Sequence, residues 1–145
     1  LMLPFAYKRF GIKWMLIIGL LAWITRFLFF GYGNAGAGEW MLYAGIILHG
    51  VCYDFFFVSG MIYTDFKAGE KIKSQAQGLI SLATYGLGMG IGSIISGYVQ
   101  KMYTNADGIT NWTNVWLVPA GIAVVVLLLF ALFFKDNTRN KAVTI

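Results

Sequence analysis

Residues 12–31 read IKWMLIIGLLAWITRFLFFG. A helix rises about 1.5 Å per residue, so about twenty such residues span the ~30 Å hydrocarbon core of a bilayer. Only Lys13 and Arg26 carry charge in this stretch. It reads as a membrane span, and that reading organises the rest of the chain. Three further stretches have the same character, at 40–63, about 75–99, and 115–134. The alternation of a transmembrane β-barrel strand is absent from all four. An open sheet edge could not satisfy its backbone polar groups in lipid. The sequence therefore predicts an all-α membrane protein with four transmembrane helices.

Composition agrees with this reading. Of the 145 residues, 59% are hydrophobic and only 12% are charged, against about 25% charged in a soluble domain. The mean hydropathy is +0.70. Cys52 is the single cysteine, which excludes an internal disulfide. The first residue is Leu1 and no signal-peptide pattern follows, which suggests a piece of a longer protein.

The net charge is +5, and its placement carries more information than its sum. Lys8, Arg9 and Lys13 flank the first stretch. Lys67, Lys71 and Lys73 lie between the second and third, and Lys135, Arg139 and Lys141 follow the fourth. With four spans, these nine fall on one side of the membrane, and Lys101 alone falls on the other. Lys and Arg concentrate in cytoplasmic loops, so both termini are expected in the cytoplasm. The basic residues are topology determinants, and the expected environment is a lipid bilayer, with no nucleic acid partner.

The connections are short. YGNAGAGE (32–39) places Glu39 where an acidic side chain favours a helix N-terminus. TDFKAGEKIKS (64–74) is basic. KMYTNADGITNWTN (101–114) contains Asp107-Gly108, a turn signal. Asn111-Trp112-Thr113 matches a glycosylation sequon, but a three-residue match this close to a span reads as chance.

The third stretch contains YGLGMGIGSIISG (85–97), with Gly86, Gly88, Gly90 and Gly92 in alternation and Gly97 beyond. Gly86/Gly90, Gly88/Gly92 and Ser93/Gly97 are small-xxx-small pairs, which let helix backbones approach closely in lipid. These glycines are expected to serve helix packing. No G-x-G-x-x-G can be written here, so a dinucleotide site is excluded.

Three ionisable residues lie deep in the apolar stretches: Arg26, His49 and Asp54. A charge near a helix centre costs about 2.5–3.5 kcal/mol on insertion scales, so such residues face a bundle interior or a water-filled cavity. Asp54 lies nine residues from the 63 end of its stretch, about 13 Å deep, and its side chain is too short to reach the headgroups. It is either a buried structural carboxylate or a substrate or proton site, and an intramembrane carboxylate favours the second. At 3.6 residues per turn, His49, Tyr53, Asp54 and Phe57 share an arc of about 140°, with Gly50 leaving room in it. Such a face could stack a flat polar solute against its rings and hydrogen-bond it. A lone imidazole serves equally well as a structural group. Arg26 is long enough to snorkel or pair, which is a better account of it than substrate contact. No nucleophile–base set, metal-ligand cluster or phosphate loop is present, so no enzyme, metal or cofactor is expected. A haem would need a second axial ligand, and His49 is the only histidine.

LHGVCYDFFFVSG (48–60), followed after the basic loop by AQGLISLATYGLGMGIGSIISG (76–97), resembles the C-terminal half of bacterial nucleoside:proton symporters of the major facilitator superfamily. KRFGIK (8–13) resembles a reduced copy of the superfamily's cytoplasmic loop signature, retaining Arg9, Gly11 and Lys13 without its acidic residue. The resemblance implies that the four spans are helices nine to twelve of a twelve-helix transporter in the bacterial inner membrane. The 40–63 helix would then line the substrate cavity. Asp54 would be its polar contact and Tyr53 the adjacent stacking or hydrogen-bonding group. His49 stands where relatives can carry Tyr, and Tyr53 where they can carry Phe. The glycine-rich span matches the eleventh helix.

The function so implied is proton-coupled nucleoside uptake, with nucleoside and proton as substrates and the N-terminal helices of the same transporter as partner. Two other readings fit the residues alone: transport of another small solute, such as a sugar or organic anion, or a four-helix membrane anchor subunit.

Overall fold

The computed structural model describes residues 3–135, with side chains from Arg9 onward. The Lys8 side chain, Arg139 and Lys141 lie outside the described part. Four long helices make up the chain: α1 (Leu3–Tyr32), α2 (Glu39–Ala68), α3 (Lys73–Met102) and α4 (Trp112–Phe133). From Arg9 onward, each is long and apolar enough to cross a membrane. The apolar stretches 40–63 and 75–99 sit inside longer helices, because polar residues continue a helix beyond the hydrocarbon region.

Gly11 interrupts α1 with φ 75° and ψ 167°. This backbone conformation favours glycine, and it separates the first turns of α1 from the membrane-crossing part. Lys13, just beyond the break, donates from Nζ to the carbonyl of Ala131 at 2.8 Å. The last carbonyls of a helix lack intrahelical partners and carry partial negative charge, so a lysine there satisfies both needs of α4. The contact also fixes the start of α1 and the end of α4 at one end of the bundle.

The core lies on α1. Ile12, Met15, Leu16, Leu20 and Ala22 are buried between α2 and α4, and outside α1 only Cys52, Ser59 and Ala120 join them as buried side chains among the described residues. α1 packs closely because of glycines. A Cβ built on Gly19 would lie 3.0 Å from both Cβ and N of Phe56, and one on Gly45 would lie 2.8 Å from the Phe30 ring. On Gly31 it would meet Trp116 at 3.4 Å. The glycines of α3 behave differently. A Cβ at Gly90, Gly92 or Gly97 meets nothing within 4 Å, and at Gly86 and Gly88 it meets only Leu82 and Ala83 of α3 itself. The close helix packing expected of these five glycines has no partner helix among the described residues.

α3 is fastened at its two ends. Near its start, Gln77 donates to Asp65 and to the carbonyl of Met61 on α2, while Lys73 pairs with Asp65 at 3.3 Å. Beyond its end, the loop closes through a Thr104–Thr110 bridge, with Gly108 at φ 79° in the Asp107-Gly108 turn. Asn111, the asparagine of the sequon, caps α4 by accepting from the backbone N–H of Asn114. Between its ends α3 stands away from α4. An apolar cleft of about 550 Å³ separates them, lined by Gly88, Gly92 and Ile95 on one side and by Trp116, Pro119 and Ile122 on the other.

Candidate functional site

The centre of α2 is a wide helical turn. Residues Tyr53–Val58, YDFFFV, are π-helical, and the Ser59 backbone N–H donates to the carbonyl of Asp54, five residues back. The buried Ser59 hydroxyl donates to the same carbonyl at 3.4 Å. Such turns are uncommon and frequently mark functional sites. Against this turn lies Gly19 of α1, whose missing side chain lets the two backbones meet at Phe56. α3 carries a second π-helical segment, Leu82–Gly88.

Phe57 is the hub of the aromatic groups. It lies 5.5 Å from Tyr53, 6.5 Å edge-on from Trp23 of α1, and 5.8 Å from Tyr85 of α3, stacked with an interplanar angle of 23°. His49 sits edge-on to Trp23 at 6.4 Å and 89°. The Tyr85 hydroxyl donates to the Tyr53 hydroxyl at 3.1 Å. Three helices thus converge on one aromatic group, each pair in the tilted, edge-on or stacked geometry that rings favour.

Of the residues singled out in the sequence, His49, Tyr53 and Phe57 are brought together through these rings. Asp54, next to Tyr53 in the chain, makes no side-chain hydrogen bond with them. Its side chain is exposed and has no hydrogen bond, ion pair or ring contact among the described residues. The 3.6-residue arc that placed all four on one face does not describe residues 53–58, because i→i+5 bonding widens the turn there. An unpaired carboxylate in a membrane-crossing helix is costly unless it borders water, substrate or another helix.

Trp23, Tyr85 and Arg26 complete the site and were not anticipated as members of it. The Arg26 guanidinium carbon lies 5.3 Å from the Trp23 ring and 5.1 Å from that of Phe30, held between two aromatic faces. Its Nε is buried without a hydrogen-bond partner among the described residues. Trp23 thus links the cation to His49. Tyr85 could have been found from position alone. It is the one aromatic residue between Phe66 and Tyr98, and it lies sixteen residues from Gly69, as does Tyr53. An antiparallel helix pair turning about Gly69 places the two at one depth.

The profile of the family described as "Nucleoside H+ symporter" matches residues 1–139. The chain belongs to the nucleoside H+ symporter family. Relatives within it agree. The nucleoside permease NupG of Escherichia coli (strain K12) is 40% identical over 136 residues, covering 93% of this chain and 32% of that protein. The xanthosine permease of the same organism is 37% identical over 150 residues, covering 99% of this chain and 36% of that protein. A crystal structure of the nucleoside transporter NupG superposes with a TM-score of 0.84 at 39% identity, over 92% of this chain and 33% of that one. A mutant form of the same transporter gives 0.85 at 38% identity. This symporter-family chain therefore spans about a third of the length of the relatives it matches, as an integral membrane segment with their helical fold. Those relatives are permeases and not enzymes.

Proposed function

We propose that the chain forms helices nine to twelve of a twelve-helix, proton-coupled nucleoside uptake transporter, with α2 lining the substrate cavity. One observation carries the reading: in a chain of the nucleoside H+ symporter family, α2 presents an unpaired carboxylate, Asp54, one residue from an open aromatic group. In this account the Tyr53 and Phe57 rings offer faces for the flat base to stack on. Asp54 accepts hydrogen bonds from the nucleoside or carries the coupled proton, and His49 supplies a further polar contact. The opposite wall belongs to the N-terminal helices of the same transporter, and alternating access comes from rocking the two halves about the site between them. The α3 glycines pack against helices of that remainder. The membrane is the bacterial inner membrane, and the end of the bundle carrying Lys13 and Lys73 faces the cytoplasm.

The test is uptake of radiolabelled nucleosides by the full-length transporter, with sugars as competitors and with a protonophore. Asp54→Asn should abolish or strongly reduce uptake while membrane expression stays near that of the parent. Uptake and affinity at the parent level in Asp54→Asn would return Asp54 to a structural role. Competition by sugars but not by nucleosides would reject the substrate.

A further inference from the structure

We propose that Tyr85 of α3 is a positioning residue for the nucleoside site, holding the Tyr53 hydroxyl as a hydrogen-bond donor toward the ligand. The inference rests on the nucleoside reading above. It begins from a count of protons. Two phenol hydroxyls share two protons, and Tyr85 spends its own on the Tyr53 oxygen, at 3.1 Å. The Tyr53 proton is then left to point elsewhere. Accepting a bond polarises a hydroxyl and strengthens the bond it donates. Neither tyrosine is covered by the described helices: Tyr53 is 41% exposed and Tyr85 40%. A ligand above them meets a donor, so the site favours an acceptor oxygen such as a ribose hydroxyl or a base carbonyl.

Tyr85 is held well enough to do this. Its ring stacks on Phe57 at 5.8 Å, and Phe57 is itself braced by Trp23 and Phe56. Both tyrosines sit in π-helical segments, one in each helix of the pair. Within the described residues, Tyr85 offers the only side-chain hydrogen bond from the middle of α3 to another helix. Its hydroxyl therefore connects the glycine-rich helix to the candidate substrate contact.

The experiment uses the full-length transporter in membranes, with saturable uptake of uridine and adenosine. Tyr85→Phe keeps the ring stacked on Phe57 and removes the donated bond. Its KM should rise about 3- to 10-fold, the fold-change of one net hydrogen bond, with kcat near the parent value. Tyr53→Phe should behave in the same way. The double variant should be no worse than the worse single, because the two hydroxyls act as one unit. A residue that merely holds α3 to α2 would instead lower expression or kcat. A KM within twofold of the parent in Tyr85→Phe, or effects that multiply in the double variant, overturns the inference. Absence of nucleoside uptake by the parent transporter overturns the functional reading and this inference with it; parental uptake with an unchanged Tyr85→Phe removes the inference alone.

Discussion

Replacing Gly19 with alanine adds one methyl group where the structure has no room for it. The new Cβ would stand 3.0 Å from Phe56 N and Cβ and 3.1 Å from the carbonyl carbon of Phe55. Carbon atoms attract best at about 3.5–4.0 Å, so α1 must retreat from α2 by about 0.5–1 Å. Two of the obstructing atoms are backbone, so no side-chain rotation relieves the clash. Overpacking of this kind costs about 1–3 kcal/mol. Alanine returns part of that, because it is a better helix former than glycine by about 0.8–1 kcal/mol. The expected net destabilisation is about 0–2 kcal/mol. Gly60 on α2 provides the control, since a Cβ there meets nothing within 4 Å. Gly60→Ala should be neutral or stabilising by up to about 1 kcal/mol. Thermal unfolding of the full-length transporter in detergent compares the two directly. Gly19→Ala should melt below the parent and Gly60→Ala at or above it. Equal melting temperatures for the two variants would refute the close approach of α1 to the wide turn of α2.

Lys13→Met should destabilise the transporter by about 1–2 kcal/mol, because it leaves the Ala131 carbonyl without its charged donor; Lys13→Arg should recover part of the loss in the same melting assay. Gly90→Leu should lower the melting temperature or the expression level of the full-length protein if the α3 glycines pack against its remaining helices, and a fully stable Gly90→Leu would place that face against lipid. Cysteines introduced at Gly36 and Ala106 in a Cys52→Ser background should react with an impermeant maleimide added outside the cell, and one at Gly69 should not. The opposite labelling would reverse the topology.

The spans and their family were legible because both depend on local signals. A bilayer imposes a length, and a run of apolar residues either meets it or does not. Residue pattern also carried the relation to nucleoside symporters, through YDFF and the glycine run. Packing was less legible. The small-xxx-small spacing drew attention to Gly86–Gly92, whereas among the described residues the helix glycines pressed against other helices are Gly19, Gly31 and Gly45. Spacing says that a helix can be approached closely, and only the neighbours decide whether it is. The π-helical segments were invisible for a different reason. An i→i+5 turn and an i→i+4 turn use the same backbone groups, and the choice at 53–58 coincides with a Ser59 hydroxyl and a neighbouring glycine on another helix. That choice changes the angular spacing within 53–58, on which the arc shared by His49, Tyr53, Asp54 and Phe57 was counted. Tyr85, by contrast, was discoverable from its matched distance to Gly69.

The two-ended fastening of α3 has a mechanical consequence. The helix resembles a bow strung between the Asp65–Gln77–Lys73 contacts and the loop bridged by Thr104 and Thr110. Between the two anchors a π turn meets a run of glycines that meet no other helix among the described residues. Load applied at either membrane surface would be taken up as flexure there, with neither anchor released. Tyr85 lies at the edge of that section, and its bond to Tyr53 and its stacking on Phe57 tie α3 to α2 there.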